Sequence, residues 1–237
     1  MPATKAVIFD FFGTLVPCLA LSEHKAVLSK MADLVGAPRE AFVQKWFDTV
    51  VPRMTGEYSS VRANIEAICA TLSVPLDAAN CELAVKERYA YARAHIIPRA
   101  TAIETLRELR ERGLRIGLIS DCSSELPELW QETEFAPLFD VTIFSSVVKI
   151  KKPNAEIYRL AADRLGVACA DCLYVGDGGS NELSGAKAVG MNPVLLDDEE
   201  EQGNADTHRI DGQSWNGVRI ADVREVMLLI REKERAT

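Results

Sequence analysis

Short apolar runs recur along the chain, and stretches with helical periodicity separate most of them. A buried strand typically appears in a sequence as a short apolar run bounded by turn residues. Strands that alternate with amphipathic helices are typical of a parallel sheet with helices on both faces. The pattern therefore predicts an α/β fold with five strands, at residues 5–9, 115–119, 141–145, 172–176 and 192–196.

Helices are expected between these strands. Residues 101–112 place apolar side chains on one face and charged side chains on the other, as an amphipathic helix does. Pro153 stands where a first-turn proline would begin a further helix, which Gly166 would close. Residues 220–235 predict a last amphipathic helix.

The spacing of the strands is uneven. Residues 10–114 contain no convincing strand, and they are too many for a single crossover connection. Most of this stretch has helical periodicity instead, interrupted by glycine and proline. We therefore expect an all-helical cap at residues 17–96, inserted into a core formed by residues 1–16 and 97–237.

Composition narrows the class of protein. The 237 residues carry a net charge of −8, and acidic and basic residues are mixed along the chain. This argues against non-specific binding to nucleic acid or to anionic membranes. The chain lacks an apolar run long enough to span a bilayer and a cleavable signal at its start, so we expect a cytoplasmic protein.

The six cysteines do not form a recognisable framework, and we expect reduced thiols. Cys169 and Cys172 have CxxC spacing, but a zinc site would need a second pair of Cys or His residues at similar spacing. These two cysteines are therefore interpreted as packing residues.

Polar side chains follow the predicted strands at the point where each strand ends. In a parallel sheet these carboxyl ends lie along one edge, so we expect the polar groups to meet there. Several of them are carboxylates, and lysine and hydroxyl groups accompany them. They are Asp10, Thr14, Ser120, Asp121, Lys152, Asp177 and Glu182.

This set of residue types suits phosphoryl transfer. Asp10 would attack phosphorus and form an acyl phosphate that water then hydrolyses. Asp10 and Asp177 would repel each other unless a divalent cation lay between them, and Mg²⁺ fits because it prefers oxygen ligands. Thr14 and Ser120 could hydrogen-bond the phosphate oxygens, and Lys152 would neutralise the charge of the transferring group.

Four strings in this order, VIFDFFGTL, GLISDCS, KIKKPNAEIY and YVGDGGSNELSGAKAVGM, resemble the motifs of the haloacid dehalogenase-like (HAD) hydrolase superfamily. Together they span essentially the whole chain outside the insertion. The resemblance implies a Rossmann-like, three-layer core with strand order 5-4-1-2-3. It also implies a mobile cap of the helical (C1) type after the first motif.

The resemblance also implies residue roles. Asp10 becomes the nucleophile, and Lys152 becomes the charge-neutralising lysine. Thr14, Ser120, Asp121 and Lys152 form the expected phosphate-binding set. The expected Mg²⁺ ligands are Asp10, Asp177 and the backbone carbonyl of Phe12, with Glu182 as an outer companion.

Phe12 departs from the family pattern. Phosphatases of the family usually have aspartate two places after the nucleophile, where it protonates the leaving oxygen and then activates water. Phe12 can do neither, and general acid–base catalysis is typically worth about 10²–10⁴-fold. Family members that cleave carbon–halogen bonds have an aromatic residue there, but they use no metal and have Ser-Ser-Asn in the fourth motif. The intact Gly176-Asp177 therefore favours a Mg²⁺-dependent phosphate site.

Three hypotheses follow. The leading one is a Mg²⁺-dependent hydrolase that acts on a small phosphorylated metabolite through an aspartyl-phosphate intermediate. The second is a metal-independent 2-haloacid dehalogenase, and the third is a catalytically impaired phosphate- or metabolite-binding protein. Neither nucleic acid nor membrane is expected as a partner.

Several other polar residues lie close to the predicted site or in the predicted cap. Cys122 lies beside the predicted site, and we interpret it as a packed thiol rather than a nucleophile. His24 lies early in the predicted cap, which often faces the active site in this family. Arg53, Glu57 and Tyr58 fall between two helical stretches and could reach the pocket.

Overall fold

A parallel sheet of six strands forms the centre of the structure, a computed structural model that describes residues 4–197, 212 and 214–230. The strand order is β3-β2-β1-β4-β5-β6, and all neighbouring strands are parallel. This confirms the predicted α/β class and the predicted order of the first five strands. The strands are β1 (Ala6–Phe9), β2 (Arg115–Ser120), β3 (Val141–Phe144), β4 (Cys172–Gly176), β5 (Asn192–Leu196) and β6 (Val218–Ile220).

The sixth strand corrects the prediction for the end of the chain. Ile220 was expected to begin a helix, but it pairs with Leu196 as the last residue of β6. The described residues after it form a short 3₁₀ helix at Val223–Glu225 and a helix of one turn at Val226–Leu229. Residues 231–235 of the predicted helix lie outside the described residues.

Helices cover the sheet and fill the long insertion. Between β1 and β2 lie α1 (Leu21–Val35), α2 (Arg39–Asp48), α3 (Val50–Met54), α4 (Val61–Thr71), α5 (Ala78–His95) and α6 (Ala102–Glu111). The later helices are α7 (Glu125–Leu129), α8 (Ser145–Val148), α9 (Ala155–Leu165), α10 (Glu182–Ala188) and α11 (Val226–Leu229). In the part of the chain described here, no helix is long and apolar enough to cross a membrane.

Both faces of β1 are buried, because successive side chains of a strand point to opposite faces. Val7 and Phe9 join one apolar cluster, which includes side chains of α6. Ala6 and Ile8 join a second cluster, which includes side chains of α9. β1 thus lies at the centre of a three-layer core, and its carboxyl end opens at the middle of one sheet edge.

Helices α1–α5 have an apolar cluster of their own. Its fully buried members include Leu28, Met31, Phe42, Trp46 and Ile65, and its buried members all lie between residues 28 and 84. The insertion therefore buries most of its apolar side chains against itself. The boundaries of the predicted cap at residues 17 and 96 remain a prediction.

The start of α9 differs slightly from the expectation. Asn154 caps the helix by accepting a hydrogen bond from the Glu156 N–H at 2.9 Å, so Pro153 precedes the helix instead of lying in its first turn. The peptide bond between Lys152 and Pro153 is cis. Gly166 ends the helix in the left-handed conformation, as predicted.

Candidate active site

The turn after β1 places Asp10 at the centre of the site. The Asp10 N–H donates to the carbonyl of Val175 at 2.9 Å, so the residue still pairs with β4 although its side chain lies beyond the strand. The chain then turns back, with the Leu15 N–H bonded to the carbonyl of Phe11. Thr14 is fully buried, and its hydroxyl donates to Asp10 Oδ2 at 3.1 Å. The turn therefore holds and orients the Asp10 carboxylate.

Gly13 lets this turn approach the loop after β4. Its φ of +83° lies in the left-handed region, which favours glycine. A Cβ atom at this position would lie 2.3 Å from Asp177 Oδ2 and 2.7 Å from Cys18 Sγ. The missing side chain thus leaves room for Asp177 beside the Asp10 turn.

The loop after β4 carries Asp177 and Glu182. The Asp177 carboxylate accepts from the Gly179 N–H at 2.9 Å, and Glu182 accepts from the Gly178 N–H at 3.0 Å. A Cβ atom on Gly176 would lie 2.2 Å from Glu182 Oε1. The glycines of this loop therefore allow a fully buried glutamate to lie against the strand end.

Lys152 connects the loops. Its Nζ lies 2.5 Å from Asp10 Oδ1 and 2.5 Å from Glu182 Oε2. The Tyr174 hydroxyl also donates to Glu182 Oε2, at 2.7 Å. The Lys152 backbone N–H donates to Asp121 Oδ1 at 3.0 Å, which holds the lysine loop against the end of β2.

Three carboxylates meet around this point. Asp10, Asp177 and Glu182 each offer one oxygen, and these oxygens lie within 4.8 Å of one another. All three residues are buried, and Lys152 is the cation that pairs with two of them. With all four groups ionised, their net charge is −2. Carboxylate oxygens at this spacing fit a hard divalent cation such as Mg²⁺.

The electrostatics of the site agree with this fit. Burial raises the pKa of Asp10 from 3.8 to about 6, with a further contribution from Asp177 and against the opposing effect of Lys152. Burial also raises the pKa of Glu182 well above its usual range, and Asp10 and Asp177 add to the shift while Lys152 opposes it. The raised pKa values of Asp10 and Glu182 favour their protonated forms, and a metal ion that bound there would displace those protons.

Ser120 is the last residue of β2 and Asp121 follows it; β2 is the neighbour of β1, where Leu118 is in register with Phe9. Ser120 is fully buried, and its hydroxyl has no hydrogen-bond partner among the residues that the structure describes. The Asp121 carboxylate holds the Lys152 N–H and lies 3.4 Å from Lys151 Nζ. Ser120 thus keeps a hydroxyl available at the site, whereas the Asp121 side chain engages the lysine loop.

Position 12 carries the phenyl ring of Phe12 instead of a side chain that could donate a proton. The half-buried side chain packs against the cluster around Phe11, with the two ring centroids 5.1 Å apart. The backbone bonds around it join the Gly13 N–H to Val16 O and the Val16 N–H to Phe11 O. Neither bond uses the carbonyl of Phe12, which is the oxygen proposed as a ligand.

Two other candidates do not suit acid–base or nucleophilic work at neutral pH. Burial raises the pKa of the Cys122 thiol to about 12. Burial, followed by the charge of Arg88, lowers the pKa of His24 to about 3, so the imidazole is neutral. His24 cannot replace the missing acid, since an acid must carry the proton that it donates.

The sequence reasoning missed several side chains around the site. Tyr174 was interpreted as part of an apolar strand, and no local pattern indicates its bond to Glu182. Cys18 lies 3.6 Å from Asp177 Oδ2, although nothing in its sequence neighbourhood predicts that contact. Arg88 and Glu125, which are 37 residues apart, form a buried ion pair at 2.6 Å.

Comparisons with known proteins agree with this geometry. The family model described as "haloacid dehalogenase-like hydrolase" matches residues 4–190. An (S)-2-haloacid dehalogenase 4A from Burkholderia cepacia is 28% identical over 84% of this chain and 84% of its own length. A glyceraldehyde 3-phosphate phosphatase from Methanopyrus kandleri is 25% identical over 81% of this chain and 83% of its own length.

Solved structures resemble the fold. The crystal structure of a HAD phosphatase from Thermococcus onnurineus has a TM-score of 0.67 and 21% identity, covering 97% of this chain and 99% of its own. The crystal structure of a dehalogenase has a TM-score of 0.62 and 22% identity, covering 98% of this chain and 99% of its own. At these identities the similarity establishes the fold and leaves the reaction to be argued from the residues.

Proposed function

Because this chain belongs to the haloacid dehalogenase-like hydrolase family, we propose that it is a Mg²⁺-dependent hydrolase of a small phosphorylated metabolite. The observation that carries the proposal is the cluster of three buried carboxylates, Asp10, Asp177 and Glu182, whose oxygens lie within 4.8 Å of one another. Lys152 pairs with Asp10 and Glu182, and a divalent cation would lower the remaining repulsion among the three carboxylates. A metal-free dehalogenase site would hold the like charges of Asp10 and Asp177 close together, which is costly in a buried environment.

Asp10 is the proposed nucleophile. One of its carboxylate oxygens forms a bond to phosphorus while the bond from phosphorus to the ester oxygen breaks, which yields an aspartyl phosphate. Water then attacks the phosphorus, inorganic phosphate leaves, and the Asp10 carboxylate is restored. Thr14 and Lys152 hold the carboxylate by hydrogen bonds of 3.1 and 2.5 Å, so the nucleophile is oriented before substrate binds.

Asp10, Asp177 and the Phe12 carbonyl would hold the cation, with Glu182 as the outer companion. When bound, Mg²⁺ lowers the repulsion between the substrate phosphate and these carboxylates and stabilises charge in the transition state. Ser120 donates its hydroxyl to a phosphate oxygen. Asp121 contributes by holding the loop of Lys152, and any direct contact with phosphate would come from its backbone N–H.

Phe12 restricts the leaving group. An alkoxide that departs without a proton is a poor leaving group, and the ring of Phe12 cannot supply one. We therefore expect the best substrates to be acyl or aryl phosphates, or substrates whose proton comes from bound water or from the cap. Helices α1–α5 would form that cap, and its closure over the sheet edge would exclude bulk water.

The proposal is tested by measuring phosphate release from a panel of phosphorylated metabolites, with Mg²⁺ and with EDTA. We expect release that requires Mg²⁺ and is lost in Asp10→Asn, while Asp33→Asn on the exposed face of α1 retains it. Acid quenching with ³²P-labelled substrate should trap label on the wild-type protein. Metal-dependent ligand binding without release or labelling would instead identify a binding protein.

A 2-haloacid dehalogenase is the second candidate, and Phe12 favours it, since a halide leaves without a proton. Relatives with that activity match the chain as broadly as the phosphatases do. In that case 2-chloropropionate would release chloride in the presence of EDTA, and phosphorylated compounds would release nothing. The two candidates therefore give opposite results in the same pair of assays.

A further inference from the structure

A second group of buried charges lies between the helical insertion and the sheet. It comprises Arg53 from α3, Arg88 from α5 and Glu125 from α7, all less than a tenth exposed. Arg88 Nε donates to Glu125 Oε1 at 2.6 Å, and Arg88 also contacts His24 Nε2 at 3.2 Å. We call Arg53, Arg88, Glu125 and His24 the arginine cluster.

The arginine cluster carries an unbalanced positive charge. Burial lowers the pKa of Arg53 to about 10, so its guanidinium stays charged at neutral pH. The pKa of Glu125 lies below its usual range, because the arginines outweigh the effect of burial, so Glu125 is ionised. His24 is neutral. Two arginines and one glutamate therefore leave one positive charge without a counterion.

That charge lies on Arg53. Its NH1 group donates to the carbonyl of Trp46 at 2.5 Å and to Thr49 Oγ1 at 2.7 Å, and both acceptors are uncharged. Among the described residues, no carboxylate lies within ion-pair distance of this guanidinium. Arginine is almost never buried unless it is paired. A buried arginine with neutral partners alone is typical of a site that receives an anion.

Unpartnered polar atoms mark the same place. Arg53 Nε and Trp46 Nε1 are buried N–H donors, and Glu125 Oε2 is a buried acceptor. In the part of the chain that the structure describes, none of the three has a hydrogen-bond partner. Buried polar groups are nearly always satisfied, so the two N–H groups indicate a missing occupant with acceptor oxygens, whereas Glu125 Oε2 requires a donor such as a water molecule.

The arginine cluster lies on the same edge of the sheet as Asp10. Glu125 begins α7, five residues after Ser120, whose buried hydroxyl also has no partner among the described residues. Arg53 belongs to α3, and the turn that follows α3 packs on α8. A Cβ atom on Gly56, in that turn, would lie 2.1 Å from the carbonyl oxygen of Ser146. α8 follows β3 directly and leads to the loop of Lys152.

We propose that Arg53 binds a carboxylate of the substrate, so that the substrate class is a phosphorylated carboxylic acid. This inference rests on the proposed function, with the phosphate at Asp10 and the carboxylate at the cap. One carboxylate balances the single excess charge, and its two oxygens suit the planar guanidinium. The Trp46 N–H is the neighbouring donor, because the guanidinium carbon of Arg53 lies 4.6 Å from the centre of its ring.

The test compares paired substrates. Phosphorylated hydroxy acids with one to three carbons between the ester oxygen and the carboxylate are each matched with the analogue in which CH₂OH replaces the carboxylate. In the wild type we expect the acid of the best-fitting length to have the higher kcat/KM. Arg53→Met should lower that value about 10–100-fold, mainly through KM, and should change the CH₂OH analogue less than about threefold.

Controls distinguish the proposed carboxylate site at Arg53 from the proposed phosphatase activity. Arg39→Met removes an exposed cap arginine that pairs with Asp33, and both substrates of a pair should keep their kcat/KM. Equal losses for both substrates in Arg53→Met, or no wild-type preference for any acid, would overturn the carboxylate site while leaving the phosphatase proposal intact.

Absence of phosphate release from every compound would instead contradict the proposed function. Calorimetric titration with the same phosphorylated acids would then still decide the inference about Arg53. We expect the wild type to bind an acid at least tenfold more tightly than Arg53→Met does. Equal binding by the two proteins would overturn the carboxylate site.

Discussion

Lys152 and Asp10 form a buried ion pair in which the ammonium nitrogen lies 2.5 Å from a carboxylate oxygen of the proposed nucleophile. The two residues are 142 positions apart in the chain. Since Lys152 also pairs with Glu182, its single charge organises both acidic loops of the site. Its removal should therefore affect catalysis more than the loss of one hydrogen bond would suggest.

Lys152→Met should lower kcat by about 10²–10³-fold, because it removes a preorganised charge that stabilises the transition state. Lys151→Met is the matched control, since the Lys151 ammonium lies beside Asp121 at 3.4 Å and donates to the carbonyl of Lys152. Steady-state kinetics with the best phosphorylated substrate measures the effect. Loss of activity to the same extent in both variants would contradict a specific role for Lys152.

The contribution of Asp10 to the stability of the metal-free protein should fall as the pH rises from 4 to 7. The folded state raises the pKa of Asp10 from 3.8 to about 6, so it binds a proton that the unfolded state has already released. Asp10→Asn removes this effect. Between pH 4 and 7 the free energy of unfolding of the variant should therefore rise relative to that of the wild type by on the order of 3 kcal/mol.

Urea unfolding in EDTA measures this difference, and carboxyls elsewhere with lowered pKa values, such as Asp33, cancel in the comparison. Mg²⁺ should reverse the loss in the wild type, by about 2.7 kcal/mol at a hundred times its Kd. A difference between the two proteins that does not change with pH would refute the assigned direction of the Asp10 shift.

Phe12→Asp should raise kcat for simple alkyl phosphates by about 10²-fold, because it restores a group able to protonate the leaving oxygen. Phe12→Leu controls for the loss of the ring, which packs against Phe11, and should bring no gain. Aryl phosphates should benefit less, since their leaving groups need less help. Unchanged turnover in a folded, Mg²⁺-binding Phe12→Asp protein would count against this account of residue 12.

Gly13→Ala should abolish Mg²⁺ binding, because the new Cβ would overlap with the Asp177 carboxylate at 2.3 Å. Gly36→Ala is the matched control, since Gly36 also has a positive φ but a Cβ added there would meet no described atom within 4 Å. Both variants should lose about 1 kcal/mol of stability from backbone strain. Calorimetric titration with Mg²⁺ should distinguish them, and equal affinities would contradict the proposed cation position.

Glu125→Gln should lower the free energy of unfolding by about 3–5 kcal/mol, because it leaves the buried Arg88 without its counterion. Glu132→Gln is the matched control. It breaks the Arg93–Glu132 pair, which also joins α5 to the segment after β2 but is more than half exposed, so it should cost about 0–1 kcal/mol. Similar losses in the two variants would mean that burial does not decide the strength of these pairs.

The five core strands and the loops that carry the site could be predicted from the residue pattern. Short apolar runs indicate buried strands. The carboxyl ends of parallel strands meet at one edge of the sheet, irrespective of the length of the connections between them. The resemblance of four motifs supplied the strand order, which the observed pairings of β1 to β5 confirm. It also supplied the residue roles, which await the experiments above.

The pairing of charged side chains became visible only in the folded protein. Local periodicity reports which face of an element is buried, but it does not identify the partner across the interface. The pairing of Arg88 with Glu125, the bond from Tyr174 to Glu182 and the isolation of Arg53 therefore had no sequence signal. The same limit explains β6, because a three-residue edge strand is too short to show a period and exists through its pairing with β5.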